Sequence, residues 1–300
     1  MNAESWRLRS TGMTSSDMRA IWAGALLSVY LVATAILLLA GHARVSTRGI
    51  ALHLALLAWA AAATWLAGAP RWLRMWTPIL MLLFLYSELP LLIRAAGHVR
   101  SFDAVVMQWE QAIFGGQPAL LWAAQWPSRV ASEVLHATYL SYYGVIISVP
   151  AGLYVSRRVD EFAEATFVLM LTFVACFVCY VVFPVAGPRY FWVSPASADA
   201  GPIRLAATWL LESASSRGTA FPSSHVAVAV TQSILAVRYF GKAGLVVPAL
   251  TIGLALGAVY GGFHYAIDVL AGAALGGVMT LIGLLVAQRL TAQAKASAPT

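Results

Sequence analysis

HYAIDVLAGAALGGVMTLIGLLV, residues 264–286, is the stretch that decides the fold. His264 and Asp268 stand at its start, and the rest carries no charge. About 20 apolar residues in a helix cross a hydrocarbon core about 30 Å thick. Lipid offers no partner for backbone N–H and C=O groups, so such a run must be helical. The reading is a membrane helix, residues 265–288, with two ionisable groups at its mouth.

Seven further segments have the same character: 20–40, 50–68, 77–97, 134–155, 163–183, 223–240 and 243–261. The weakest is 77–97, which contains Glu88, Pro90 and Arg94. The expected fold class is therefore all-α, a polytopic integral membrane protein with about eight transmembrane helices. Composition agrees, at 60% hydrophobic and 10% charged residues, where soluble domains carry roughly 25% charged. Eleven Trp and eleven Tyr suit aromatic belts at the two interfaces. The net charge of +7 comes without a long basic run, so it reads as loop charge and nucleic acid is not an expected partner. Cys176 and Cys179 lie inside an apolar run with no further ligands in view, and read as packing residues.

Lys and Arg set the orientation. With the N-terminus cytoplasmic, the inner segments hold Arg7, Arg9, Arg19, Arg71, Arg74, Arg157, Arg158, Arg238, Lys242, Arg289 and Lys295, a majority of the 19 basic residues. Two connections are long. Residues 98–133 carry Phe102, Val105, Val106, Trp109 and Ile113 at helical spacing, stop at Gly115-Gly116 and restart at Pro118, which predicts one or two interfacial amphipathic helices. Residues 184–222 are rich in Pro, Gly and Ser.

The chemistry gathers at three places. Gly218-Thr-Ala-Phe-Pro-Ser-Ser-His225 leads a loop into a span, with Pro222 suited to a first helical turn. Ser223 and Ser224 then offer N–H groups and hydroxyls at a positive helix end, which is an anion site. His225 is placed to move a proton there. In Tyr260-Gly-Gly-Phe-His264-Tyr-Ala-Ile-Asp268, the His and Asp are four apart and share one helix face. A carboxylate so placed accepts Nδ1–H and leaves Nε2 free to attack. Phe183-Pro-Val-Ala-Gly-Pro-Arg189 ends the fifth span on the same side. One Arg, one helix end, two His and one Asp make a set suited to phosphoryl transfer. Each cluster also has a plain structural reading, as a helix cap beside an interfacial His and as a His–Asp hydrogen bond.

The PSSH of 222–225 and the HYxxDVxxG of 264–272 resemble the second and third motifs of the type 2 phosphatidic acid phosphatase and vanadium haloperoxidase superfamily. The resemblance covers a six-span core, roughly 77–288. It implies that His264 becomes phosphorylated, that His225 protonates the leaving group and that Asp268 orients the nucleophile. The departures are specific. Val182 stands where the first motif has a Lys, Ala258 where the third has an Arg, and PSGH has become PSSH. This pattern is similar to the inositolphosphotransferase branch, related to the aureobasidin-sensitive inositol phosphorylceramide synthases.

The expected domains are an N-terminal tail and extra hairpin (1–70), a phosphatase-like catalytic core (71–290) and a short polar tail (291–300). The expected function is a metal-independent lipid phosphatase or phosphotransferase that needs no cofactor. Its partners are a lipid phosphate in the bilayer and a polyol or alcohol headgroup as acceptor. The alternatives are a headgroup transferase making a phospho-sphingolipid or phosphoinositol lipid and, more remotely, a transporter or scramblase. The resemblance and the charge bias imply a bacterial inner membrane, with the site on the periplasmic face. Arg189 is the expected phosphate clamp, with Arg217 as a substitute cation and Arg204 a weaker one. His136, Tyr139 and Tyr143 either line a headgroup pocket or belong to an interface belt. Glu88 either contacts substrate or pairs inside the bundle. His42, His53 and His98 have no expected partner.

Overall fold

The computed structural model of the chain describes residues 15–41, 46–65, 70–98, 100–193 and 200–296. Among the described residues twelve α-helices follow one another: α1 (Ser15–Ala40), α2 (Thr47–Trp65), α3 (Arg71–Ala95), α4 (Asp103–Phe114), α5 (Pro118–Gln125), α6 (Arg129–Leu140), α7 (Tyr142–Val155), α8 (Val159–Val182), α9 (Pro202–Ala214), α10 (Ser224–Phe240), α11 (Val246–Tyr260) and α12 (Ala266–Ala296). Short 3-10 turns cover Pro188–Tyr190 and Gly241–Leu245.

Among the described residues, five runs are long and apolar enough to cross a membrane: Ile21–Ala40, Trp72–Ala95, Val159–Val182, Ser224–Tyr260 and Ala266–Arg289. The fourth holds both α10 and α11, which pack against each other after the chain turns back at Gly241. The α2 segment is shorter. The expected span 134–155 is instead two helices of 12 and 14 residues. They meet at Ser141, whose hydroxyl donates to the Thr138 carbonyl at 2.6 Å. Such back-bonding competes with the helical ladder and bends it.

The hub is α8, with 61% of its span window buried against 22% for α12. Asp160 and Glu161 occupy its first turn, where the positive helix end favours acids. Beyond Glu164 the rest of its sequence carries no charge, and it packs against α1, α3, α7, α10 and α12. Pro184 ends it, because the residue before a proline is pushed out of helical conformation; Phe183 has φ −135° and ψ 70°. The N-terminal hairpin is tied to the core by a buried polar link. Glu88 Oε2 lies 3.1 Å from His53 Nδ1, and His53 Nε2 lies 2.9 Å from the Leu31 carbonyl. His53 thus has a partner, contrary to expectation, and Glu88 pairs inside the bundle. His98 meets the Phe102 ring edge-on, while His42 lies outside the described residues.

Helices α10 and α12 approach almost to backbone contact. A Cβ added at Gly272 would sit 2.4 Å from the Ser223 carbonyl oxygen, and one at Gly276 would sit 2.2 Å from that of Ala227. Small residues four apart let membrane helices close up in this way. The contact sets the start of α10 against the start of α12, and so His225 near His264. Replacing Gly272 with Val is expected to lower the melting temperature of the detergent-solubilised protein sharply, since overpacking costs about 1–3 kcal/mol or more. Gly277→Ala, where an added Cβ meets nothing within 4 Å, is expected to change it little. Equal melting curves for the two variants would contradict this packing account.

Candidate active site

Three loops meet where α8 ends and where α10 and α12 begin. The first, 183–190, pairs with the second, 217–223, through one parallel bridge between Val185 and Thr219. Ala220 N–H donates to the Val185 carbonyl at 2.9 Å. The third loop, 261–265, turns at Gly262, whose φ of +73° suits a residue without Cβ. The N–H groups of Phe263 and His264 then both donate to the Ala258 carbonyl at 3.0 Å. Ser223 N–H donates to the Asp268 carbonyl at 2.9 Å and locks the second loop to α12.

His264 is buried in this knot. Its Nδ1 lies 3.1 Å from the Ala220 carbonyl oxygen and 3.5 Å from Asp268 Oδ2. A carbonyl can only accept, so Nδ1 carries the proton and Nε2 the lone pair. The nearer orienting group is the Ala220 carbonyl, with the expected Asp268 carboxylate farther off. Asp268 Oδ2 takes the Tyr265 N–H at 2.9 Å, closing the turn ahead of α12. Burial pushes the His264 imidazole down to about 4, with the Arg189 charge acting in the same sense and the bond to Ala220 opposing. At neutral pH the imidazole is therefore uncharged.

His225 stands across from it, with ring centroids 5.6 Å apart. Its Nε2 is 3.3 Å from the Tyr139 hydroxyl, and its ring packs on Tyr139 and Tyr142. Both histidines line one pocket. Tyr86, Tyr139, Ser215, Ser216, Thr219 and Arg189 contribute its other polar groups. Arg189 reaches in from the 3-10 turn, donating from Nη2 to the Ser215 hydroxyl and, at 2.8 Å, to the Tyr190 hydroxyl. Arg189 is the one Lys or Arg lining the pocket among the described residues.

The remaining expected residues fall elsewhere. Pro222 precedes the helix, and Ser223 is the cap, its Oγ accepting from Val226 N–H. Ser224 N–H donates to the Tyr180 hydroxyl at 3.1 Å, so neither serine amide is offered to an anion. Arg217 is exposed and stacks on the Tyr190 ring at 5.2 Å rather than lining the pocket. Arg204 is buried and donates to His136 Nε2 at 3.1 Å, which places both behind the site. Tyr143 is exposed and does not line the pocket, whereas Tyr139 does. The two sites of cation loss also differ. Val182 is 65% exposed on the outside of α8, and Ala258 is sealed in the core. Among the described residues no group of three or more His, Cys, Asp or Glu is placed to hold a metal ion.

Sequence reasoning missed two acids. The buried face of α4 is Asp103, Val106 and Glu110, while Trp109 and Ile113 point outward. The spacing i, i+3, i+7 is the available signal, masked by the apolar residues of the same helix that set its expected amphipathic face. Glu110 Oε1 accepts the Ile267 N–H at 3.2 Å at the start of α12. Burial raises its carboxyl to about 7, with the neighbouring Asp268 charge adding to this and the backbone amides of Ile267 and Ala266 opposing.

A family model described as the PAP2 superfamily matches residues 104–282, more than half of the chain. No curated protein and no solved structure matches it.

The Glu110 shift has a measurable consequence. Its folded pKa lies above the ordinary 4.5, so the folded state binds the extra proton between about 4.5 and 7. That contribution is full below this window and is lost as pH rises through it. Glu110→Gln does not titrate. The variant's melting temperature minus that of the unmodified protein is therefore expected to grow more positive from pH 5 to pH 8. A difference that stays flat across those values would contradict the assignment.

Proposed function

Because the chain belongs to the PAP2 superfamily, we propose that it is a membrane-embedded lipid phosphatase or phosphotransferase working through a phosphohistidine. The observation that carries the reading is the pairing of His264 and His225, 5.6 Å apart, with Arg189 in one pocket at the ends of apolar helices. In the first half-reaction His264 Nε2 forms a bond to phosphorus as the bond to the leaving oxygen breaks. His225, protonated beside the anionic substrate, delivers its proton to that oxygen. In the second half, water or an alcohol attacks phosphorus and gives its proton to His225. The N–P electron pair then returns to Nε2. Arg189 holds the non-bridging oxygens throughout, where a charge-assisted bond is strongest.

The single pocket cation favours an acceptor alcohol over water, and so a headgroup transferase. A phosphodiester carries one charge where a phosphomonoester carries two, and one guanidinium suffices for it. The substrate would enter from the outer leaflet, on the side where the loops after α8 and before α10 and α12 gather. Orientation rests on the Lys/Arg bias of the loops.

The test is a panel of phosphomonoester and phosphodiester lipids, with and without inositol, given to purified protein and to sealed vesicles of known orientation. Diester turnover that rises with an added polyol, on vesicles exposing the α9 side, is expected. His264→Ala is expected to abolish it, Arg189→Lys to be impaired nearly as much as Arg189→Ala because the planar fork is lost, and Arg217→Ala to lose little. A strong preference for monoesters with Arg189→Ala still active would sink the transferase reading. Full activity in His264→Ala would sink the mechanism.

A further inference from the structure

Asp103 opens α4 outside the spanning runs and is 1% exposed. Its Oδ2 accepts the Ala186 N–H at 2.8 Å, and its Oδ1 accepts the Gly187 N–H at 2.8 Å and the Tyr265 O–H at 3.1 Å. Two of those donors lie in the loop that carries Arg189. The third belongs to the residue after His264. One buried carboxylate therefore holds the two pieces of backbone that carry the cation and the nucleophile.

Resting on the phosphoryl-transfer reading above, we propose that Asp103 is a positioning residue: it sets Arg189 against His264. Gly187 hands its N–H to Asp103, and its carbonyl accepts from Tyr190 N–H at 3.2 Å to start the turn that presents Arg189. The φ of +100° at Gly187 is what aims two consecutive N–H groups at one carboxylate. The same turn of α4 is stitched down on both sides. Phe102 N–H donates to the Pro184 carbonyl at 2.8 Å, and Val106 packs with Val185, Ala220 and Tyr265. An α4 braced in this way leaves Asp103 little freedom, so the spacing it imposes is fixed before substrate arrives.

Removing the charge leaves buried N–H donors badly matched, and the loop must shift to satisfy them. A displacement of 1 Å at a phosphate-holding group costs about 100-fold in rate. Asp103→Asn is expected to lower kcat/KM for a lipid phosphoester by about that factor. Tyr265→Phe, which deletes one of three bonds, is expected to lower it about tenfold.

A role in folding alone would act whatever residue stands at 189, whereas a role through Arg189 must couple to it. The experiment is a double-mutant cycle of Asp103→Asn and Tyr265→Phe with Arg189→Lys, read as kcat/KM. Melting temperature and elution volume are measured alongside. The proposal expects each of the first two to cost much less in the Lys background than in the unmodified one. Equal, multiplying losses in both backgrounds would overturn it, as would Tyr265→Phe with unchanged kcat/KM. If Asp103→Asn does not fold, the Tyr265→Phe half of the cycle decides alone. Unmodified protein that turns over no phosphoester removes the phosphoryl-transfer reading and this proposal with it. Active protein with uncoupled variants removes the proposal only.

Discussion

Ala220 is fastened at both of its backbone polar groups. Its N–H goes to Val185 in the loop after α8, and its carbonyl accepts the Nδ1–H of His264 in the loop before α12. A residue with no functional side chain thereby joins three segments far apart in sequence. The physical reason is the cost of an unpaired backbone group away from water, several kcal/mol in an apolar surround. Non-helical backbone near a bilayer is tolerated only where protein or a cavity satisfies it. Here the satisfying groups are the other loops of the site, so the demand that stabilises the irregular backbone also orients His264. The Ser223 amide on the Asp268 carbonyl and the Asp103 carboxylate on Ala186 and Gly187 extend the same logic.

The electrostatics follow from that enclosure. Burial keeps His264 neutral, which a nucleophile needs. Among the described residues one guanidinium lines the pocket, flanked by hydroxyls rather than by more cations. The two positions where the sequence resemblance implies a Lys and an Arg are an outward-facing Val182 and a sealed Ala258. Restoring a cation at Ala258 would bury a charge in a packed core, a change of several kcal/mol. The lack of a cation at position 258 is thus built into the packing.

Much of this architecture was legible from residues alone. The apolar runs gave the helices because length and lipid leave few alternatives. Gly-Gly before Phe263 and Ser223 before α10 marked where helices end and begin. His225, His264 and Arg189 were singled out because ionisable groups at span ends need a reason to be there, and they share one pocket. What was not legible depended on three-dimensional pairing. The Ser223 and Ser224 amides looked free in sequence, but the Asp268 carbonyl and Tyr180 hydroxyl occupy them. His136, read as a pocket or belt residue, and Arg204, read as a weak substitute cation, bond to each other. Helix α9 hid in a long connection rich in Pro, Gly and Ser, although Pro202 suits the first turn where it stands. Asp103 and Glu110 were overlooked because an acid on an amphipathic helix usually faces water.

The central claim is that phosphorus becomes bonded to His264. The direct measurement is to quench turnover of phosphorus-labelled lipid within its first cycle, digest under alkaline conditions and locate the modified residue by mass spectrometry. The account predicts an acid-labile, base-stable phosphoryl group on the peptide containing His264, absent from His264→Ala. It also predicts accumulation in His225→Ala when the leaving group needs no proton. A phosphoryl group on another residue, or turnover that forms no covalent intermediate, would contradict it.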